Sequence, residues 1–181
     1  MNYVFFADGF EEIEALTAVD VMRRAGMPVT TVSINPFDVV TGAHGVVVST
    51  DAVLDGLNMS DAQWLVLPGG MPGATNLLEC DELAHALVEH NRREGRIAAI
   101  CASPAVVLAP LGILDGKRAV CYPGMEVEGY GAEWCEALTM TSGNVITGSS
   151  PGAAMQFALA IVAATPNTDA AAVAAGMVLD R

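Results

Sequence analysis

Apolar positions along this chain fall into two textures. Short, largely apolar runs occur at Tyr3–Phe6, Val29–Ile34, Gln63–Leu67 and Arg96–Ile100. Their length and compactness suit strands buried on both faces of a sheet. The second texture has helical spacing. From Glu11 to Ala25 the apolar residues Ile13, Leu16, Val19 and Met22 recur every third position. Glu11, Glu12 and Glu14 open that stretch, Arg23 and Arg24 close it, and Gly26 follows. This charge order complements a helix dipole, and the glycine supplies the stop. Asp81–Glu94 predicts another helix, Ser149-Ser150-Pro151-Gly152 starts a long apolar one through Ala164, and Asp169–Leu179 predicts an alanine-rich last one.

Strand, helix and strand within about thirty residues make a βαβ unit and therefore a parallel sheet. Two pairs of runs read differently. Phe37–Val40 and Val46–Ser49 flank Thr41-Gly42-Ala43-His44-Gly45 and predict a hairpin at the sheet edge. Ala137–Thr141 and Val145–Thr147 predict a strand pair turning at Ser142-Gly143-Asn144, and Lys117–Tyr122 predicts a strand broken by Pro123-Gly124. No internal repeat or linker interrupts the alternation. The expectation is an open α/β sandwich, mostly parallel, with helices on both faces and one domain over residues 1–181.

Composition narrows the function classes. Hydrophobic residues make up 52% and charged residues 16% of the 181 positions. That suits a sheet covered on both faces and a surface partly buried by self-association. The formal charge of −13, with only 8 Lys and Arg, argues against nucleic acid, whose phosphates would be repelled. It also disfavours anionic membranes. The N-terminus has no basic leader, and the apolar stretch at Ala153–Ala164 is too short to span a bilayer. Cys80, Cys101, Cys121 and Cys135 match no zinc or CxxC spacing, so a reducing cytoplasm is expected.

The chemistry centres on Cys101. The run Ile97–Ile100 leads straight into it, and Ala102-Ser103-Pro104 follows before a helical apolar pattern begins. Pro104 suits the first turn of a helix. Cys101 is therefore expected on a sharp strand-to-helix turn, where the helix end favours thiolate. The alternative is an inert buried cysteine. In open α/β sheets, sites form outside the carboxyl ends of the strands. Three stretches are expected to meet there: Ala7–Glu14, the loop Pro68-Gly69-Gly70-Met71-Pro72-Gly73, and the elbow at Cys101-Ala102. Glu14, buried beside a thiolate, would hold its proton and serve as general acid or base. The alternative for Glu11, Glu12 and Glu14 is a solvated helix start. Gly69, Gly70 and Ala102 offer N–H donors for an oxyanion. His85 and His90 are five apart and do not share a helical face as metal ligands would. No metal site is read from these spacings.

Four segments together resemble the ThiJ/PfpI superfamily, and within it the DJ-1-like subgroup of small redox-linked proteins. They are Glu11-Glu12-Ile13-Glu14 with Val19–Gly26, Val66-Leu67-Pro68-Gly69-Gly70, Ile97–Ala102, and Ser150-Pro151-Gly152 with Phe157–Val162. The resemblance implies a flavodoxin-like, class I glutamine amidotransferase-like sandwich and a homodimer. It implies Cys101 as the oxidisable nucleophile, Glu14 as its protonated partner, and Gly70 and Ala102 as backbone donors around the sulfur. Gly69, Ser103, Tyr122 and Pro123 would line the pocket. The implied activity is a glyoxalase or deglycase acting on methylglyoxal-type 2-oxoaldehydes, without glutathione, metal or organic cofactor. Oxidative-stress sensing or chaperoning is the second reading, and a cysteine peptidase or amidotransferase the third.

Three positions depart from the pattern. Tyr122 stands where many members place a histidine, which weakens the third reading because tyrosine is a poor base near neutrality. Ser103 stands where the subgroup usually has glycine, and is expected to narrow the pocket. His44 replaces an arginine that commonly faces the dimer partner, which would make a subunit contact pH-dependent.

Overall fold

The computed structural model describes residues 1–179. Its centre is a seven-stranded sheet. The parallel strands are β1 (Asn2–Phe6), β2 (Val29–Ser33), β5 (Ala52–Val53), β6 (Trp64–Leu67), β7 (Arg96–Ile100) and β11 (Val145–Gly148), with β10 (Thr139–Ser142) antiparallel to β11 at one edge. The spatial order is β10-β11-β7-β6-β1-β2-β5.

Alternation within the apolar runs divides the core into two layers, because successive side chains of a strand point to opposite faces. Tyr3, Phe5, Leu65, Leu67, Ile97 and Ala99 pack with Leu77, Leu83 and Leu87. Those last residues belong to helices α2 (Gly73–Glu79) and α3 (Asp81–Arg92). Val4, Phe6, Trp64, Val66, Ala98 and Ile100 pack on the other face with Ala15, Val19 and Met22 of α1 (Glu12–Arg24) and Phe157 and Ile161 of α4 (Ala154–Ala163). Both faces of the sheet are therefore covered, as the apolar runs predict.

Four expectations change. The hairpin β3 (Val39–Thr41) and β4 (Val47–Ser49) forms its own two-stranded sheet, and β5 holds the main edge instead. Backbone bonds pull the hairpin over the start of α1: Gly9 N donates to Thr41 O at 2.8 Å, and Ala43 N to Phe10 O at 2.8 Å. The run Lys117–Tyr122 keeps only β8 (Arg118–Ala119), paired in parallel with β9 (Glu133–Trp134) in a separate two-stranded sheet beside β10. α2 occupies a stretch where no helix is predicted. The last helix, α5, is shorter than predicted, Ala170–Gly176: Asp169 caps its start by accepting from Ala172 N at 3.0 Å, and its end gives way to a turn in which Val178 has φ of 60°. Among the described residues no helix is long and apolar enough to cross a membrane.

Candidate functional site

Sheet order brings the three predicted stretches together. β7, β6 and β1 are neighbours, so their carboxyl ends deliver Cys101, the Pro68–Gly73 loop and the start of α1 to one rim. Cys101 leaves β7 with φ of 63°, a left-handed conformation rare for a residue with a side chain. Neighbouring backbone holds it there. Its N–H donates to Gly148 O at 2.9 Å, and its carbonyl accepts Tyr122 N–H at 2.8 Å. The strain turns the sulfur out of the sheet plane at a strand-to-helix elbow. The segment after it, Pro104–Leu108, is wider than an α-helix, with Ala109 N donating to Pro104 O at 3.0 Å.

Glu14 is 1% exposed, which removes the solvated-helix-start alternative for this residue. Its Oε2 accepts the Gly69 N–H at 2.7 Å, and Glu11 N donates to Gly69 O at 3.0 Å. The glycine turn and the first helix are thus stitched together at the carboxyl group. The other oxygen, Oε1, is buried without a protein hydrogen-bond partner. Burial pushes the Glu14 carboxyl up to about 7, against the lowering effects of the Gly69 N–H and the Cys101 thiol. The direction matches the expectation of a proton-holding carboxyl group.

Cys101 behaves differently from the thiolate expected at a helix end. Burial, then the charge of Glu14 and the hydrogen bond to it, push its thiol up to about 12. The Gly70 and Ala102 N–H groups act in the opposite sense but are outweighed. The physical reason is that a helix end acts locally, whereas desolvation and a like charge penalise the thiolate more strongly. The pair therefore carries at most one negative charge near neutrality.

The remaining predicted residues divide. Gly69 packs against both groups; a Cβ there would lie 2.7 Å from Cys101 Cβ and 2.8 Å from Glu14 Oε2. Tyr122 reaches the elbow through its backbone, while its side chain is 46% exposed. Pro123 is exposed beside it. Ser103 does not narrow an opening: it is fully buried, and its hydroxyl donates to Pro68 O at 2.5 Å. It braces the elbow against the glycine turn. Ser103→Ala is expected to cost about 1 kcal/mol in urea unfolding, the usual worth of such a bond. His90 is buried with Nε2 3.2 Å from Arg96 O, and His85 is exposed. His44 pairs within its own chain, Nδ1 lying 2.7 Å from Glu12 Oε2. That pairing, and the burial of Glu11 and Glu12 beside it, were not legible in the sequence.

An open, mostly parallel α/β sandwich with a cysteine on a strained strand-to-helix elbow and a buried carboxyl group beside it defines a class of elbow-cysteine α/β proteins. The chain belongs to the DJ-1/PfpI family, which it matches over residues 2–164. It is 38% identical over 163 residues to the Parkinson disease protein 7 homolog of Danio rerio, covering 88% of this chain and 86% of that one. A deglycase of Pyrococcus abyssi is 30% identical over 152 residues, covering 82% and 89%. Among solved structures, oxidized Toxoplasma gondii DJ-1 superposes with a TM-score of 0.90 at 33% identity, covering 97% of this chain and 96% of that one. Two longer DJ-1 homologs of Arabidopsis thaliana are 35% identical, and this chain spans only 36% and 40% of their length.

Proposed function

We propose that this protein is a cofactor-free glyoxalase or deglycase that acts on methylglyoxal-type 2-oxoaldehydes through Cys101 and Glu14. The observation that supports it is the shared-proton pair: a buried carboxyl group, fixed by the Gly69 N–H at 2.7 Å, faces the elbow thiol. The deglycase among the relatives supports the same reaction class.

In this reading the Glu14 carboxylate takes the thiol proton as the sulfur attacks the aldehyde carbon. The new alkoxide, held by the Gly70 and Ala102 N–H groups, takes that proton back from Glu14 to give a hemithioacetal and restore the carboxylate. Glu14 then removes the hydrogen from that carbon and returns a proton to the neighbouring carbon. The product is a thioester of a 2-hydroxy acid. Water cleaves it, releasing the acid and restoring the thiol. A carboxyl group near 7 suits both halves of this proton transfer. The test is conversion of methylglyoxal to lactate by wild type, Cys101→Ser and Glu14→Gln, without glutathione or added metal.

The same reading carries a small carbonyl substrate, a homodimer, a cytoplasmic location and one domain over the whole chain. A second reading, an oxidative-stress sensor or chaperone, rests on the two backbone N–H groups beside the Cys101 sulfur, which also suit an oxidised sulfur. Graded peroxide followed by intact mass separates the two. Uptake of two oxygens at Cys101 alone, with no aldehyde turnover, supports sensing; uptake spread over all four cysteines opposes it. The peptidase reading gains no support, because no histidine is among the groups that act on the Cys101 thiol.

A further inference from the structure

Cys101 holds a backbone conformation that few residues with side chains adopt, and two bonds keep it there. One comes from β11, whose Gly148 O accepts the Cys101 N–H at 2.9 Å. The other comes from the segment after β8, whose Tyr122 N–H donates to Cys101 O at 2.8 Å. The first bond continues the sheet, because Gly148 lies opposite Ile100 in the register of β11 and β7. The second has no ladder behind it. β8 stops at Ala119, and Tyr122 lies outside any strand.

A side chain anchors that segment instead. The buried Val120 N–H donates to Thr147 Oγ1 at 2.9 Å. Thr147 is itself only 1% exposed. Alternation along β11 puts its side chain on the face of Val145, among the apolar residues that pack against α2 and α3. Valine has the same branched shape and would suit such a buried strand position. A hydroxyl there is costly unless it is bonded, and removing it would orphan the buried Val120 N–H in turn.

These bonds close a ring. It runs from Thr147 to Gly148, across to Cys101 N, through Cys101 to its carbonyl, across to Tyr122 N, and back through Cys121 and Val120 to the Thr147 hydroxyl. Adjacent residues of β11 thus hold both sides of the strained turn. We infer that Thr147 is a positioning residue for the reaction proposed above: its hydroxyl fixes the segment 120–122, and that segment keeps the Cys101 sulfur against Glu14. The inference rests on that reaction for its kinetic effect, whereas its effect on the thiol stands apart from turnover. Burial and the Glu14 charge hold the thiol up. A turn released from its anchor would let the sulfur move away from both. The thiol would then react faster with an outside electrophile and serve turnover less well.

The experiment compares Thr147→Val, which keeps the branched shape and removes the hydroxyl, with Thr147→Ser, which keeps the hydroxyl and removes a methyl. Two readouts are taken: kcat and KM for methylglyoxal, and the rate of iodoacetamide alkylation at Cys101, followed by peptide mass at pH 8. Thr147→Val is expected to lower kcat at least about ten-fold while KM changes less than about two-fold. It should speed Cys101 alkylation at least about ten-fold. Alkylation of Cys80, at the junction of α2 and α3, should not change. Thr147→Ser should stay within about three-fold of wild type in both readouts although it packs less well. A role in packing alone predicts the reverse order, with serine the more impaired. Should Thr147→Val not fold, Thr147→Ala set against Thr147→Ser isolates the hydroxyl in the same way. Cys101 alkylation unchanged when the hydroxyl is removed, or Thr147→Ser as altered as Thr147→Val, overturns the inference. A wild type that turns over no aldehyde overturns the proposed activity instead, and the alkylation comparison then decides the role of Thr147 by itself.

Discussion

Cys101→Ser is expected to lower kcat/KM for methylglyoxal by about a thousand-fold or more, because the hydroxyl replaces the only elbow nucleophile. Glu14→Gln is expected to lose about a hundred-fold or more, since among the described residues no other carboxyl group or imidazole acts on the thiol. The two losses have different origins, and pH separates them. In the wild type, activity should rise through about 7 as Glu14 becomes the base, then level off, because the thiol itself is pushed up to about 12. In Glu14→Gln that rise should vanish. The thiol should also become more acidic, because the Glu14 charge and the hydrogen bond to it hold it up. Alkylation by iodoacetamide as a function of pH reads this directly. A Glu14→Gln protein with a more reactive thiol and no turnover would assign nucleophile and proton carrier to separate residues. Turnover that survives Glu14→Gln would sink the proposed mechanism.

Stability should move the other way. The folded-state value of Glu14, about 7, lies above the ordinary carboxyl value of 4.5. Between those values the folded protein binds more protons than the unfolded one, so this group's contribution falls as pH rises through the window. Above it, the buried carboxylate is a fixed cost. Glu14→Gln should therefore be more stable than wild type at pH 8, by thermal melting, while being far less active. That is the expected signature of a site whose chemistry needs a destabilised group. It also guards against reading lost activity as lost fold.

Much of this arrangement was legible in the chain. Alternation inside Tyr3–Phe6 and Ile97–Ile100 assigns the two core layers, because a period of two is a property of the strand alone. Cys101 on an elbow followed from a short apolar run, small residues and Pro104. Other features depend on partners distant in sequence. The hairpin left the main sheet because Thr41 O and Ala43 N bond to Gly9 and Phe10, contacts with no local signal. The influences on the thiol divide in the same way: a helix end can be read from neighbours, whereas desolvation and the facing Glu14, which push the thiol up, arise only once α1 packs on the sheet. Ser103 illustrates the same limit. Its residue type suggested bulk in a pocket, and only the fold turns its hydroxyl onto Pro68 O, 35 residues back.

The glycine turn gives the sharpest test of how fold and site are joined. Gly70 has φ of 89°, and a Cβ there would lie 2.4 Å from both Glu11 N and Gly9 O. Those atoms are backbone and cannot move aside cheaply. Gly70→Ala is therefore expected to destabilise by about 3 kcal/mol or more, combining left-handed strain with a clash. For a chain of this size that lowers Tm by roughly 6–12 °C. Gly26 is the control, with φ of 74° and nothing within 4 Å of its added Cβ. Gly26→Ala should cost only about 1 kcal/mol, from backbone conformation alone. Gly69 differs from both. Its φ is not in the left-handed range, and its added methyl would press on Cys101 Cβ, Glu14 Oε2 and Ala102 N. Gly69→Ala should thus strike activity harder than stability, forcing apart the thiol and the carboxyl group that share a proton. Chemical denaturation and methylglyoxal turnover, measured on the three variants together, distinguish the cases. If Gly69→Ala keeps its turnover, the close approach of Glu14 to Cys101 is not what the reaction requires.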